Sequence, residues 1–384
     1  MASLAGSLAG SLAGSLAGGG PLLRWAEGTF ANASTRYIWD ANDKALYGPY
    51  AGGVAAIASF GGKRYYQSEA AATNDVDESE DFTAWTSAGA ETVTANQGAA
   101  PDGTTTADDI AFTAAAGDGV TTTIAGVADS VNVTASVWAK TASGTKGFRI
   151  QLLLKDGTTA TSAELTATTS WQRFDYTADI AAGGTTPEMR ILNDAGATAG
   201  AALFWGAQAE DGGGAGANYP SSYIQTAGAP VTRAADSMMF TAAQVPTRMR
   251  EGRWRYSMIM QGTDDEDPPT GVACTSFAAG TGATERVHFQ ANNDGRTRVR
   301  DYGTNTNYIA AGNAMVYSRY QTIDYAFDTV AGSVTQSGAT TGNGTTVDTS
   351  WSGVILAGDD LYVGREWAAS DGFSRGWISE PTAW

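Results

Sequence analysis

The 384-residue chain contains 48 Gly, and only 16% of its residues are charged. Its length predicts two to three domains. The scarcity of Lys, Glu and Arg disfavours a helical enzyme and favours an all-β protein. The formal net charge of −17 disfavours nucleic acid and anionic membrane surfaces as partners. Because Cys274 is the only cysteine, no internal disulfide is expected.

The N-terminus is a low-complexity segment in which Ser-Leu-Ala-Gly occurs four times over residues 3–18. A helix is disfavoured here because each glycine would cost about 1 kcal/mol. The Gly and Ser content is typical of a flexible spacer. The alternative is an anchor segment over residues 1–20, which docks onto a partner or into an oligomer axis through Leu4, Leu8, Leu12 and Leu16.

Membrane insertion is not expected. No stretch of the chain reaches the roughly 18 consecutive apolar residues that a membrane span needs. The N-terminal segment also lacks the positive flank and the uninterrupted apolar region of a secretory signal.

Alternating apolar and polar residues predict the first module. Residues 21–74 show no core of their own, and we interpret them as a small linking region. Alternation typical of half-buried strands is clear at 131–138 and 148–155, and Asp156-Gly157 then tolerates the positive φ of a tight hairpin. Further strands are predicted at 171–176, 189–192 and 203–209, so we expect residues 75–236 to form one β-sandwich.

A second set of alternating segments follows residue 236. These segments lie at 254–261, 287–289, 321–328, 361–364 and 376–378. The sequence therefore predicts an all-β fold in which two antiparallel β-sandwich (jelly-roll) modules, residues 75–236 and 237–384, follow the low-complexity N-terminal anchor.

A series of short motifs runs from residue 33 to residue 236. In chain order they are ASTRYIWD at 33–40, EAAATN at 69–74, SEDF at 79–82 before Trp85, APDGTTTAD at 100–108, WQRF at 171–174, WGAQAE at 205–210, YIQT at 223–226 and TRAAD at 232–236. This succession resembles that of a widespread group of tailed-bacteriophage virion structural proteins of the capsid-decoration, head or tail-fibre type.

The resemblance implies several properties. It implies a carbohydrate-binding-like jelly roll in the middle of the chain and a laminin-G or concanavalin-like sandwich after it. It also implies a place on the phage particle surface and other virion proteins as partners. The chain departs from the group in its Ser-Leu-Ala-Gly repeats and in Gln208-Ala209-Glu210-Asp211, where the group has a glutamate pair.

Few residues could carry catalysis. His288 is the only imidazole, in an alternating stretch that predicts a solvent-facing strand position, and Cys274 has no basic neighbour in sequence that would lower its pKa. One Cys and one His are too few for a zinc site. Glycoside hydrolysis needs only two carboxylates, and composition leaves it open because 40 Asp and Glu are present. We expect a protein that is not an enzyme.

Three aromatic residues are candidates for glycan binding. Tyr302, Tyr308 and Trp367 lie in turn-like contexts, where a flat ring could stack on a sugar. The alternative is that they belong to a hydrophobic core, as most aromatic residues of a sandwich do.

Two charged stretches are candidates for other ligands. The loop Asp264–Asp267 could supply oxygen ligands to Ca²⁺, or it could be a solvated acidic hairpin tip. Arg296, Arg298 and Arg300 alternate along a predicted strand, where they could hold an acidic partner or form a solvated face.

These patterns lead to one functional hypothesis and two rivals. We expect a structural or decoration protein of the phage particle that is homo-oligomeric, for example trimeric, and that assembles and binds without turnover. The first rival is a tail receptor-binding adhesin that recognises host surface glycans. The second is a virion-associated polysaccharide depolymerase.

Overall fold

The structure is a computed structural model. It describes residues 23–31, 36–40, 45–50, 54–55, 57–60, 63–69, 71–124, 126–129, 131–211, 220–250, 253–260, 274–281, 284–291, 297–301, 306–309, 321–328, 333–338, 344–347, 355, 358–363 and 376–383.

Strands make up most of the described chain. Those before and within the first sandwich are β1 Thr29–Ala31, β2 Arg36–Asp40, β3 Ala45–Tyr50, β4 Ile57–Phe60, β5 Lys63–Ser68, β6 Ala72–Asn74, β7 Thr86–Ser87, β8 Thr92–Gly98, β9 Ala107–Phe112, β10 Gly119–Thr123, β11 Val131–Lys140, β12 Lys146–Leu153, β13 Thr159–Thr161, β14 Leu165–Ala167, β15 Gln172–Ile180, β16 Glu188–Asn193 and β17 Gly200–Asp211.

The remaining strands begin after the first sandwich. They are β18 Val231–Arg233, β19 Ser237–Phe240, β20 Arg253–Met260, β21 Cys274–Thr281, β22 Thr284–Ala291, β23 Thr297–Asp301, β24 Thr306–Ile309, β25 Gln321–Asp328, β26 Ser333–Gly338, β27 Gly344–Val347, β28 Asp360–Val363, β29 Gly376–Ser379 and β30 Thr382–Ala383. The helices are short: α1 spans Thr247–Arg250, and single 3₁₀ turns span Trp25–Glu27 and Phe82–Ala84.

The first sandwich has a five-stranded and a six-stranded antiparallel sheet. The orders are β15-β11-β17-β9-β8 and β13-β12-β16-β10-β7, with β14 also paired to β12. Burial alternates along β12, where Phe148, Ile150 and Leu152 are buried and their neighbours in the strand are half-buried. This is the period-2 pattern that the sequence predicted, and it places the core between the two sheets.

The second sandwich also has two antiparallel sheets. The seven-stranded sheet has the order β1-β19-β28-β21-β22-β23-β24, and the other has the order β27-β26-β25-β20-β29-β5-β4, with β30 on β20. Its core joins both sheets through large side chains such as Phe240, Trp254 and Phe277. The predicted all-β fold of two antiparallel sandwiches is confirmed.

The first sandwich is inserted into the second. Strands β1, β4 and β5 precede the first sandwich in the chain, yet β1 pairs with β19 and β5 pairs with β29. Trp25 lies in the core of the second sandwich at 1% exposure. Residues 21–74, interpreted from the sequence as a linking region, thus contribute strands and core to the second sandwich. The sequence carries no local signal for this arrangement, because β29, the partner that joins β5 to the rest of the sheet, lies more than 300 residues further along.

Candidate functional site

Most of the residues singled out in the sequence lie outside the described residues. These are Leu4, Leu8, Leu12 and Leu16 of the repeats, the loop Asp264–Asp267, and Arg296, Tyr302 and Trp367.

The others lie in strands of the seven-stranded sheet. Tyr308 is in β24, at the edge of the sheet and opposite Val299, and not in a turn. His288 is in β22 opposite Arg300, and Arg298 and Arg300 are in β23. The backbone thus brings His288, the two arginines and Tyr308 to three adjacent strands, β22, β23 and β24.

The described part of the chain has neither a metal-binding cluster nor a membrane-spanning helix. No group of three or more His, Cys, Asp or Glu residues there is arranged to hold a metal ion. No helix among the described residues has the length and apolar character of a membrane span.

The motif residues meet at the junction between the sandwiches, which we call the neck: β6, β18, Glu69 and Asp236. Strand β6 leads into the first sandwich and pairs with β18, which leads out of it. The Glu69 backbone N–H donates to Asp236 Oδ2 (3.0 Å), and the Asp236 N–H donates back to the Glu69 carbonyl (2.9 Å). Nη2 of the buried Arg233 side chain lies 3.6 Å from Glu69 Oε2. The EAAATN and TRAAD motifs therefore form the neck.

Asn74 ties the neck to the first sandwich. Its amide nitrogen donates to the carbonyls of Ala207 (3.0 Å) and Ile224 (2.8 Å), and its amide oxygen accepts from the N–H groups of Val76 (3.2 Å) and Ala209 (3.1 Å). These four bonds use both donors and both acceptor positions of the side chain. Parts of the EAAATN, WGAQAE and YIQT motifs are thus held together by one buried amide.

The outer face of the five-stranded sheet carries an aromatic cluster formed by Trp138, Trp205 and Tyr223. Trp138 and Trp205 are register partners on β11 and β17, and their ring centroids lie 5.5 Å apart. The Tyr223 ring lies 4.5 Å from that of Trp205. All three side chains are at most 1% exposed. The cluster is therefore core, and its rings offer no free face to a ligand.

Chain segments outside the sheet seal this aromatic cluster. Tyr37 of β2 packs on Tyr223 with a centroid distance of 5.3 Å, and Leu46 of β3 is buried in the same cluster. The Tyr223 hydroxyl bonds to Ser79 Oγ (2.7 Å) and donates to Glu80 Oε1 (2.8 Å). Burial, with the Glu80 charge nearby, raises the pKa of Tyr223 well above its usual value. The hydroxyl therefore stays protonated and holds the YIQT and SEDF motifs together.

Arg173 also lies on the covered outer face of the five-stranded sheet, which carries the aromatic cluster and which we call the closed face. Its guanidinium lies 4.2 Å from the Trp138 ring centroid and donates to the Ser221 carbonyl (2.6 Å) and to Ser136 Oγ (3.0 Å). The arginine of the WQRF motif is thus engaged by contacts with residues of this same chain. The motif residues thus stabilise the neck and the closed face, which is a structural role.

The outer face of the six-stranded sheet is open to solvent. One residue from each of five adjacent strands lies in register across it, and we call this set the polar row: Thr86, Thr121, Arg190, Gln151 and Thr161. Val120, Ile150 and Met189, which flank three of these positions, point into the core. Because successive strand residues face opposite sides, the polar row faces outward.

Side-chain hydrogen bonds connect the polar row. Arg190 donates through Nε (2.9 Å) and Nη2 (2.8 Å) to Glu188 Oε2, which also accepts from Thr121 Oγ1 (2.9 Å). Arg190 Nη1 donates to Gln151 Oε1 (3.1 Å), and Gln151 Nε2 donates to Thr161 Oγ1 (2.8 Å). The side chains of Arg190 and Glu188 are 26% and 27% exposed, so the network is half-buried and reachable from solvent.

The sequence did not predict that the five side chains of the polar row lie next to one another. The alternation at 148–155 places Gln151 on the outward face, which is the signal that was available. It does not show that Arg190 and Thr121 lie beside Gln151, because period-2 alternation fixes a side chain's face and leaves strand pairing open.

No family model and no curated protein matches the sequence. Among solved structures, the chain is similar to the CBM22-1–GH10 modules of endo-1,4-beta-D-xylanase 10B from Clostridium thermocellum complexed with xylohexaose, at 19% identity over 37% of this chain and 28% of that one, with a TM-score of 0.30. It is also similar to the enzymatically active domain of tailspike protein 4 of bacteriophage CBA120. The match has 16% identity, covers 36% of this chain and 21% of the tailspike chain, and has a TM-score of 0.28.

A third solved structure covers more of the chain. Mouse laminin alpha1 chain domains LG4-5 match at 8% identity over 71% of this chain and 87% of that one, with a TM-score of 0.24. This chain spans less than a third of the xylanase and tailspike chains. At these identities and TM-scores the likenesses assign neither a family nor a ligand.

Proposed function

We propose that the chain is a non-catalytic surface protein of a tailed-phage particle, in which the second sandwich serves as the base and the first sandwich is a glycan-binding module. The observation that carries the proposal is the insertion. Both ends of the first sandwich pass through the neck, and the hairpin β2–β3 covers the five-stranded face. The six-stranded face is left open to solvent for a ligand.

The assignment to a phage particle is supported by the order of the motifs over residues 33–236. Glu69, Asn74, Tyr223 and Arg233 of these motifs hold the neck and the closed face. Chains that share the motifs would then share the inserted architecture. The particle would supply many copies of the module, so weak binding by each would add up to firm attachment.

Binding without turnover agrees with the structural use of three described carboxylates, Glu69, Glu210 and Asp108. Glu69 accepts from Ser222 N and Oγ (2.8 and 2.5 Å), and Glu210 accepts from Ser221 N (2.7 Å). Asp108 accepts from the N–H groups of Phe82 and Asn96, both at 2.8 Å. Each of these carboxylates thus fixes a nearby backbone segment.

The particle assignment is tested by immunogold labelling of purified phage with antibody raised against the whole chain. Label on the head or along the tail supports the proposal, and label confined to the tail tip favours the receptor-binding adhesin. Absence of the chain from the particles overturns the virion assignment.

Catalysis is tested separately. The purified chain, incubated with host capsule polysaccharide, is expected to release no new reducing ends. Sustained release would overturn the non-catalytic assignment and favour the depolymerase.

A further inference from the structure

The polar row has hydrogen-bonding capacity that its own network does not use. Arg190 has five N–H donors, of which three are engaged in the row. Glu188 Oε1 accepts no hydrogen bond from the described residues, and Gln151 has a second amide N–H beyond the one given to Thr161. Spare donors and acceptors therefore lie side by side on one face of the six-stranded sheet. A sugar hydroxyl, which both donates and accepts, matches such a mixed set.

The charge of the surface selects the kind of ligand. Glu188, two residues from Arg190 on the same strand, pairs with it at 2.8 Å, so the polar row and Glu188 together carry no net charge. The whole chain carries a formal charge of −17, which repels anionic polymers. Local neutrality within a negative field favours a neutral ligand over a uronic or sulfated one.

Aromatic stacking contributes little to this surface. Among the residues whose side-chain exposure the structure describes, the exposed large hydrophobic side chains are Val54 and Val231, and neither is aromatic. Affinity at the polar row must therefore come from hydrogen bonds to side chains whose rotamers are already restricted. The mutual bonds of Arg190, Glu188 and Gln151 restrict their rotamers before a ligand arrives, which lowers the entropy cost of binding.

The dimensions of the row fit a polymer. Five strands at a spacing of about 4.8 Å give a row of roughly 19 Å from Thr86 to Thr161. A ligand that uses the whole row must be extended and must lie across the strands.

We infer that the polar row binds a neutral polysaccharide chain lying across the strands of the six-stranded sheet; this inference rests on the proposed glycan-binding function and names its site and ligand class. The opposite, five-stranded face is excluded as the platform because its aromatic cluster is sealed by Tyr37 and Leu46.

The test is affinity electrophoresis of the full chain in gels containing dextran, mannan or β-glucan, and in parallel gels containing hyaluronan or polygalacturonate. The first variant is Gln151→Ala/Arg190→Ala, which removes the centre of the row. The second is Thr86→Ala/Thr161→Ala, which removes its two ends and leaves the Glu188–Arg190 pair. The control is Thr94→Ala, an exposed threonine of β8 in the other sheet. Circular dichroism melts verify that each variant is folded.

We expect at least one neutral polymer to retard the parent chain and the Thr94→Ala control equally. The central variant should bind that polymer about tenfold more weakly or worse, because it loses several hydrogen bonds at once. The end variant should lose a smaller factor.

Three outcomes would overturn the inference. Unchanged retardation of both row variants would place the site elsewhere on the chain, without touching the proposed function. Retardation by the acidic polymers alone would refute the ligand class. Retardation by none of the five polymers would refute both the site and glycan binding, whereas the immunogold experiment tests the particle assignment independently.

Discussion

Replacing Lys146 by methionine should destabilise the first sandwich by about 3–5 kcal/mol, the usual cost of removing one partner of a buried ion pair. The Lys146 side chain is 5% exposed and that of Asp194 is 8% exposed. The ammonium donates to Asn193 Oδ1 (2.6 Å), Asp194 Oδ2 (3.2 Å) and the carbonyls of Gly147 (2.8 Å) and Thr198 (2.9 Å). Methionine replaces the aliphatic part of the lysine side chain as far as Cε but leaves these oxygens without their cation.

The assay is urea denaturation of the parent and of Lys146→Met, with Lys155→Met as the matched control. Lys155 pairs with Asp129 at 2.8 Å and donates to the Val127 carbonyl; the Lys155 side chain is 18% exposed and that of Asp129 is 56% exposed. Because the carboxylate left behind faces solvent, Lys155→Met should cost less than Lys146→Met, about 1–2 kcal/mol. A loss below about 1 kcal/mol for Lys146→Met would refute the reasoning, because the buried oxygens would then need no cation.

The ion pair between Lys146 and Asp194 also makes the stability of the first sandwich depend on pH. Burial by itself raises the pKa of Asp194, but hydrogen bonds from Thr198 and Lys146 outweigh it and hold that pKa below its usual value. Asp194 thus adds stability above the pKa it has in the unfolded chain, and this stability is lost as the pH falls through the lowered folded value. In Lys146→Met the folded pKa of Asp194 rises, so less stability should be lost on acidification than in the parent. The difference in urea midpoint between the two proteins should therefore narrow as the pH falls, and a difference that widens would contradict this reasoning.

Two further substitutions are predicted from local geometry. Burial, followed by the charges of Asp211 and Glu210, raises the pKa of Asp75 to about 7. Its protonated form therefore stabilises the fold fully below the unfolded pKa of about 3.9, and this contribution is lost as the pH rises through about 7. Asp75→Asn should accordingly gain stability relative to the parent between pH 5 and pH 8 in urea melts, and a gap that does not widen with pH would contradict the assignment. Gly206 has φ +65°, and a Cβ there would meet Trp138 Cε3 at 2.9 Å. Gly206→Ala should therefore cost about 1–3 kcal/mol by the same method, and a neutral result would show that the aromatic cluster can shift.

The sequence predicted the strands well because their signal is local. The alternation at 148–155 comes from side chains that face the core and the solvent in turn, and β12 lies there. The alternation at 131–138 predicted β11 correctly as a strand, but its polar face is also buried, with Ser136 and Trp138 at 0% exposure, because chain segments outside the sheet cover it. Asp156-Gly157 predicted a hairpin, and Gly157 has the positive φ, 85°, expected of it. Such patterns need no knowledge of the rest of the chain.

The pairing of distant strands was beyond the reach of those patterns. Strand β5 and its partner β29 are separated by the whole first sandwich, so nothing near Tyr65 and Tyr66 in the sequence indicates their partner. For the same reason the sequence could not predict the polar row, whose five residues come from five different strands. Nor could it predict the role of the motifs, since Glu69 and Arg233 meet only at the neck.

The inserted architecture is tested most directly by excising the first sandwich. Asn74 and Val231 are register partners in the antiparallel pair β6–β18, so a two-residue Asn-Gly turn can replace residues 75–230. We predict that this variant unfolds in one cooperative urea transition, while residues 237–384 alone, which lack β1, β4, β5 and Trp25, do not fold. A cooperative transition for residues 237–384 alone, or none for the excised variant, would contradict the insertion.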